Sequence, residues 1–262
     1  MEFKHIKTSR RGRVLTFTLD RPEVLNAFNA AMHTDLAHAF VDAASDPHSD
    51  VIVLTGNGRA FSAGGDLDWQ QDAIDDPESF EVTVREAKQI VFSMLDCEKP
   101  IIARINGPAV GFGATIALLS DLSIIARSTY ISDPHVNVGM VAGDGAAVIW
   151  PQLIGYARAK EYLFLGDRIG AEEAERIGLV NHVVDDADLD RAVDDLADRL
   201  LAGAQKAIRW TKLSINIPLR ELASSMMDAS LAYESLTNAS EDHARAVKAF
   251  REKRKVRFGR EA

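Results

Sequence analysis

The sequence of 262 residues contains a single cysteine, Cys97, so it offers neither an intrachain disulfide nor a cysteine metal site. Basic residues are also in deficit, with 30 lysines and arginines against 39 aspartates and glutamates, and the formal net charge is -9. A surface of this sign argues against nucleic acid as a partner. Hydrophobic residues make up 47% and charged residues 26%, which is typical of a globular protein with a substantial core.

Long uninterrupted hydrophobic runs are lacking as well. The most apolar stretch, residues 101–126, is broken by Arg104, Asn106 and Asp121, and is therefore too interrupted to span a bilayer. The first residues carry no continuous apolar segment behind their charges, so they do not resemble a secretory signal. We therefore expect a cytoplasmic protein with no membrane partner.

The hydrophobic pattern predicts an α/β fold followed by a helical tail. Strands are predicted at residues 3–8, 13–19, 50–55, 100–105, 122–126 and 130–132. Helices are predicted from residue 30, with Asn29 as the N-cap, at 78–95, at 114–119 and over most of the chain after 145. The stretch 190–253 contains no strand pattern, and its amphipathic segments form the predicted tail.

Two glycine-rich loops, at residues 56–66 and 106–113, each follow a buried strand and each lead into a predicted helix. Glycine lets the backbone approach a ligand closely, and amides at a helix N-terminus favour a negative group. The two loops can therefore supply two N–H groups to one oxyanion. From glycine alone, two tight turns with no ligand are the favoured interpretation. Neither matches the phosphate-binding or dinucleotide-binding glycine patterns.

The sequence around these loops resembles the enoyl-CoA hydratase/isomerase family, the crotonase superfamily. The resemblance is carried, in order along the chain, by residues 21–29, 60–67 (AFSAGGDL), 105–113 (INGPAVGFG), 120–121, 153–155, 165–169 and 171–184. It implies a crotonase-like spiral of ββα units in residues 1–195, which binds acyl-CoA and carries out catalysis. It also implies a helical region in 196–262 that contacts CoA and forms a homotrimer, or a hexamer of two trimers.

The resemblance implies an acyl-CoA substrate whose thioester carbonyl accepts hydrogen bonds from two backbone N–H groups, those of Ala63 and Phe112. These donors would stabilise an enolate, and one such donor is worth about 3 kcal/mol in a dry site. No separate cofactor and no metal are implied, because coenzyme A arrives as part of the substrate. The implied contacts to the thioester and CoA are Leu25, Asn26, Ala27, Ala63, Gly64, Gly65, Asp66, Trp69, Gly111, Phe250 and Lys253.

Two positions depart from the family pattern. Hydratases of this family use two glutamates to place and activate a water molecule, and the match puts those positions at Thr115 and His135. A threonine hydroxyl is too weak an acid to act as a general base unaided, although it can hold a water molecule. His135 with a nearby carboxylate, Asp144, is a plausible acid–base pair. Asp144 can alternatively cap the helix that begins near residue 146.

The segment 133–151 is similar to the corresponding segment of 6-oxocamphor hydrolase, a crotonase relative that cleaves β-diketones with a histidine, an aspartate and water. Three hypotheses therefore stay open: hydration or isomerisation of an unusual enoyl-CoA, hydrolytic C–C cleavage of a β-keto acyl-CoA, and a non-catalytic CoA-binding or assembly subunit. Glu234, at a position where relatives sometimes carry an additional acid, is expected at the surface. The remaining histidines have no metal-binding spacing.

Overall fold

The structure is a computed structural model that describes residues 1–256 and 258. Its strands are β1 (Ile6–Arg11), β2 (Val14–Leu19), β3 (Val51–Gly56), β4 (Ile101–Ile105), β5 (Ala109–Val110), β6 (Leu122–Ala126), β7 (Tyr130–Ser132), β8 (Ile169–Gly170) and β9 (His182–Val184). Its α-helices are α1 (Ala30–Ser45), α2 (Leu67–Asp75), α3 (Phe80–Asp96), α4 (Phe112–Leu119), α5 (Ala146–Leu165), α6 (Ala171–Arg176), α7 (Leu189–Leu201), α8 (Gln205–Asn238) and α9 (Glu241–Arg251).

The larger sheet has the strand order β1-β2-β3-β4-β6-β9. Strands β1 and β2 form an antiparallel hairpin that turns at Gly12, where φ is +57° and a side chain would be strained. The other pairs in this sheet are parallel. Because β3 and β4 are parallel neighbours, their carboxyl ends meet at one edge, and the glycine-rich loops that follow them start side by side.

The smaller sheet, β5-β7-β8, positions the segment that follows β7. Strands β5 and β7 are parallel, with Val110 opposite Ser132. The Gly111 N–H continues this pairing by donating to the Ser132 carbonyl at 2.9 Å. The start of α4 therefore lies next to the residues that follow Ser132, among them His135.

Helix α1 begins as predicted. The Asn29 side chain accepts a hydrogen bond from the Met32 N–H at 2.9 Å, which satisfies one of the free amides of the first turn. The face with Met32, Leu36 and Phe40 is buried in the main core, as its three- and four-residue spacing predicts. This core fixes α1 on the sheet beside α3.

The expected division at residue 195 does not correspond to a structural boundary, since it falls inside α7. Val193 and Ala197 of this helix are buried against strand residues of the larger sheet, including Val14 and Ile102. Side chains on the other face of the sheet lie in the main core, and residues of α8 such as Met227 are part of that same core. The helical region is therefore continuous with the α/β part in its packing.

Short elements were missed by the pattern. Strands β8 and β9 lie in a stretch predicted to be largely helical, and α2 forms directly after the first glycine-rich loop. Strand β8 is two residues long and β9 is three. They are defined by pairing with β7 and β6, respectively, because segments this short carry no strand pattern of their own. Among the described residues, no helix is long and apolar enough to cross a membrane.

Candidate active site

A cavity of about 660 Å³ opens between the glycine-rich loops and helices α2, α3 and α8. The predicted residues that line it are Ala27, Ala63, Gly64, Gly65, Asp66, Trp69, Gly111, Phe112, His135, Asp144 and Phe250. Leu25, Asn26, Thr115 and Lys253 were also predicted but are not among the lining residues. The lining also includes His33 and Glu234, which were not predicted as site residues.

The two loops are tied together by backbone hydrogen bonds. The Ser62 N–H donates to the Pro108 carbonyl at 3.0 Å, and the Val110 N–H donates to the Ser62 carbonyl at 2.9 Å. Gly64 has φ of +87°, and a Cβ at this position would come within 3.0 Å of the Val110 carbonyl oxygen. Glycine is therefore needed here both for its backbone conformation and for the close approach of the second loop.

The Ala63 N–H is not available to a ligand, which corrects the predicted donor. It donates to the Leu25 carbonyl at 3.0 Å and so fixes the first loop to the segment before α1. Among the described residues, the N–H groups of Gly65 and Phe112 have no hydrogen-bond acceptor. Phe112 is the first residue of α4, where the amide of a helix is unpaired. Gly65 and Phe112 thus place one free donor from each loop on the cavity wall.

Asn26 has a structural role instead of the predicted substrate contact. Its side chain is fully buried, accepts from the Arg21 N–H and donates to the carbonyls of Asn57 and Ala60, each at 2.9 Å. Leu25 likewise contributes its carbonyl to the Ala63 N–H and not a side chain to the cavity. Together these two residues hold the first loop in shape.

Helix α2 starts at the cavity rim and is capped by Asp66, which accepts from the Asp68 N–H at 3.0 Å and pairs with Arg21 at 2.9 Å. Helix α9 reaches over α2 through an ion pair between Arg251 and Asp68. This contact brings Phe250 to the cavity of its own chain, whereas the exposed Lys253 does not reach it. A CoA contact from Lys253 stays a prediction.

His135 lies beside Gly111, the residue before Phe112, and is held by carboxylates on both sides. Asp133 is fully buried, and its Oδ1 lies 2.5 Å from His135 Nδ1. The other ring nitrogen, Nε2, faces Asp144 Oδ2 at 3.5 Å. A Cβ on Gly111 would be 3.6 Å from His135 Cε1, so the ring abuts the second loop. Asp133 was not predicted as a site residue, although it lies only two residues from His135.

The charge of this histidine follows from its neighbours. Burial disfavours the charged ring, but the negative charges of Asp133 and Asp144 outweigh burial and raise the pKa of His135 to about 10. Burial also raises the pKa of Asp144, with His135 acting in the opposite direction. At neutral pH the ring is therefore a proton donor, and Asp144 is a stronger base than an ordinary aspartate.

Asp144 makes both contacts that the sequence left open, one to His135 and one to the N-terminus of α5, although the capping contact is long. Its Oδ1 accepts from the Thr115 hydroxyl at 3.0 Å and from the Ala146 N–H at a longer 3.4 Å. Its Oδ2 faces the histidine. Thr115 is fully buried and does not line the cavity, so it orients Asp144 instead of holding a substrate water.

Glu234 is buried at the cavity wall, contrary to the surface position expected for it. Its Oε2 has no hydrogen-bond partner among the described residues. Burial, and next the nearby charge of Asp144, raise the pKa of Glu234 well above 4.5. The sequence held a signal for this position: the buried residues of α8 include Ala223, Met227, Leu231, Glu234 and Asn238, which have the spacing of one helix face.

Comparison with known proteins agrees with the family resemblance seen in the sequence. The sequence model of the enoyl-CoA hydratase/isomerase family matches residues 9–261. The chain is 32% identical to crotonyl-CoA hydratase of Syntrophomonas wolfei, over 98% of this chain and 99% of that protein. It is 34% identical to 1,2-epoxyphenylacetyl-CoA isomerase of Escherichia coli, over 94% of each chain.

A solved structure of an enoyl-CoA hydratase/isomerase from Mycobacterium paratuberculosis has a TM-score of 0.92 at 37% identity and covers 95% of this chain and 99% of its own. The predicted α/β crotonase fold is thereby confirmed. The chain belongs to the enoyl-CoA hydratase/isomerase family.

Proposed function

We propose that this protein hydrates or isomerises an enoyl-CoA thioester through an enolate, with His135 and Asp144 in place of the two glutamates of the family's hydratases. The single observation that carries the proposal is the pair itself. An imidazole and a carboxylate face each other at 3.5 Å on the wall that also presents the free N–H groups of Gly65 and Phe112. The names of its relatives, a hydratase and an isomerase, support this substrate class.

In the proposed hydration, the thioester oxygen accepts hydrogen bonds from the Gly65 and Phe112 amides. Asp144 takes a proton from water, and the resulting hydroxide oxygen bonds to the β-carbon while the double-bond electrons move onto the thioester as an enolate. The His135 imidazolium then gives its proton to the α-carbon. A proton passes from Asp144 to His135 across their contact and restores the pair.

Isomerisation uses the same groups without water. A base of the pair removes a proton from the acyl chain, the two amides stabilise the dienolate, and the proton returns to a different carbon. Because both reactions pass through an enolate, the same two donors serve them equally. The difference lies only in whether a water molecule reaches the β-carbon.

A second candidate is hydrolytic C–C cleavage of a β-keto acyl-CoA. Water adds to the keto carbon, the bond to the α-carbon breaks, and the acyl-CoA enolate that leaves is protonated to a shorter thioester. The specific observation that favours this reaction is the contact between His135 and Asp144, with a buried carboxyl, Glu234, nearby. The products are a carboxylic acid and an acyl-CoA.

Incubation with enoyl-CoA and β-keto acyl-CoA thioesters in heavy-oxygen water, read by mass spectrometry, distinguishes these reactions. Label in a hydroxyacyl-CoA supports hydration, and a shifted double bond without label supports isomerisation. Label in a released carboxylic acid would replace both with C–C hydrolysis. Absence of conversion, together with tight CoA binding, would contradict catalysis and favour a CoA-binding subunit.

We also propose that the chain assembles into a homotrimer or a hexamer. Large apolar side chains are exposed on two helices, with Tyr156 and Phe164 on α5 and Trp210 and Leu236 on α8, each more than half exposed. Contiguous apolar patches formed by such side chains mark interaction sites. Other copies of this chain are the partners proposed for these surfaces.

A further inference from the structure

The cavity contains a second histidine–carboxylate pair, on the wall formed by α1 and α3. His33 Nδ1 lies 2.7 Å from Glu86 Oε2, and the other oxygen of Glu86 accepts from the Thr34 hydroxyl at 2.7 Å. His33 is 2% exposed, yet it contributes to the cavity lining. Nothing in the proposed reaction uses this pair.

The pair fixes the orientation of the imidazole. Burial opposes ionisation of Glu86, but hydrogen bonds from His33 and Thr34 lower its pKa, so it is a carboxylate at neutral pH. Such a carboxylate engages Nδ1 and leaves the other ring nitrogen, Nε2, as the free polar atom. Within residues 1–256 and 258, His33 Nε2 has no hydrogen-bond partner.

The surroundings of this ring are otherwise aromatic. Its centroid lies 5.0 Å from that of Phe112 and 5.3 Å from that of Trp69, which both line the cavity. Phe112 also carries one of the two free amides, so His33 is close to where an acyl chain would leave the thioester. An imidazole nitrogen that faces the cavity from an otherwise apolar wall gains a hydrogen bond when a substrate presents a hydroxyl there.

We propose that His33 Nε2 accepts a hydrogen bond from a hydroxyl on the acyl group, so that the enzyme selects hydroxy-substituted acyl thioesters over plain alkyl ones. This inference rests on the proposed acyl-CoA function and adds the substrate class. A site built to hydrogen-bond a substrate oxygen rejects the analogue that lacks it much more strongly than an apolar pocket rejects an extra methylene. A purely structural bridge between α1 and α3 would affect both substrate types alike.

The test uses pairs of acyl-CoA thioesters that differ only in a hydroxyl, with separate pairs for successive carbons of the chain. The ratio of kcat/KM between the oxygenated and the plain member is measured for the wild type, His33→Leu and His33→Gln. We expect the wild type to prefer one oxygenated series and His33→Leu to lower that ratio about tenfold or more. His33→Gln, which keeps a polar atom at this wall, should retain part of the preference.

An unchanged ratio in His33→Leu, or a wild type without preference in any pair, would overturn the proposal. If the wild type turns over no thioester, the proposed reaction fails independently, and the same pairs are compared as unreactive thioether analogues by calorimetry. A preference for the oxygenated analogue that His33→Gln retains and His33→Leu loses would still support the contact. Equal affinities in the wild type would overturn it. Glu86→Gln, which weakens the hold on Nδ1, should reduce the preference without abolishing it.

Discussion

His135 is enclosed by Asp133 on Nδ1 and Asp144 on Nε2, and this arrangement determines its charge. A histidine whose folded pKa is raised from 6.5 to about 10 stabilises the fold fully below the lower value. That contribution is lost as the pH rises towards the upper value, because the folded protein then gives up the proton. The residue that donates the proton in the proposed reaction therefore also ties stability to pH.

Glu234 gives a dependence of the same sign, beginning at a lower pH. The pKa of Glu234 in the folded protein lies well above 4.5, the ordinary value that applies to the unfolded chain. As the pH rises above 4.5, the unfolded chain loses this proton while the folded protein keeps it, and folding then requires proton uptake. Stability contributed by this residue therefore falls as the pH rises. We expect Glu234→Gln, which is neutral at every pH, to melt at a higher temperature than the wild type at neutral pH. The difference should shrink towards zero near pH 4.5.

Thermal unfolding of both proteins across this pH range measures the effect. Glu221→Gln is the matched control, since Glu221 lies on the same helix with an exposed side chain and its replacement should change the melting temperature little. A Glu234→Gln protein that is less stable than the wild type at neutral pH would show that the carboxyl is ionised and paired.

The sequence predicted individual site residues unevenly. His135 was identified by its position in the family pattern and Asp144 as a nearby carboxylate, and the two lie together on the cavity wall. The assignment of Ala63 was wrong, because the availability of an amide depends on which carbonyl it meets, and Leu25 supplies that carbonyl from a distant part of the chain. The assignment of Glu234 to the surface followed residue type and overlooked helix periodicity.

At the level of elements, the site depends on two loops that leave neighbouring parallel strands. At Gly64 of the first loop, an added Cβ would lie 3.0 Å from the Val110 carbonyl oxygen of the second loop. We expect Gly64→Ala to strain a backbone with φ of +87° and to push the Gly65 amide away from the Phe112 amide. Loss of one oxyanion donor lowers turnover about 10²–10³-fold.

Steady-state kinetics of Gly64→Ala, with its melting temperature, checks this prediction. Gly170→Ala is the control, because Gly170 has an ordinary extended conformation and no atom lies within 4 Å of the place where the alanine methyl would sit. Turnover of Gly64→Ala close to that of the wild type would mean that the spacing of the loops does not control the reaction.

The long elements could be predicted because local sequence defines them. The predicted strand at 50–55 and the Asn29 cap of α1 are confirmed, since each is specified by an apolar run or a capping side chain. Strands β8 and β9 could not be predicted, because they consist of a few residues recruited by β7 and β6. Their existence depends on the tertiary fold.

At the scale of the whole molecule, the single chain has large apolar side chains exposed to solvent on α5 and α8. Phe164 is 68% exposed and Leu236 is 70% exposed. We expect light scattering to give a mass of three or six chains, and Phe164→Glu or Leu236→Glu to lower it, because burying an unpaired charge at an interface is costly. Glu221→Ala on the polar side of α8 is the control. A monomer at all concentrations would contradict the proposed assembly.

The central claim is that His135 and Asp144 act as one acid–base unit, and a double-mutant comparison of kcat/KM tests it most directly. The wild type, His135→Gln, Asp144→Asn and the double variant are assayed on the thioester that the labelled-water experiment identifies. We predict that each single change lowers kcat/KM about 10²–10⁴-fold and that the double change costs little more than the larger single one. Single variants within a few-fold of the wild type, or losses that simply multiply in the double variant, would contradict the claim.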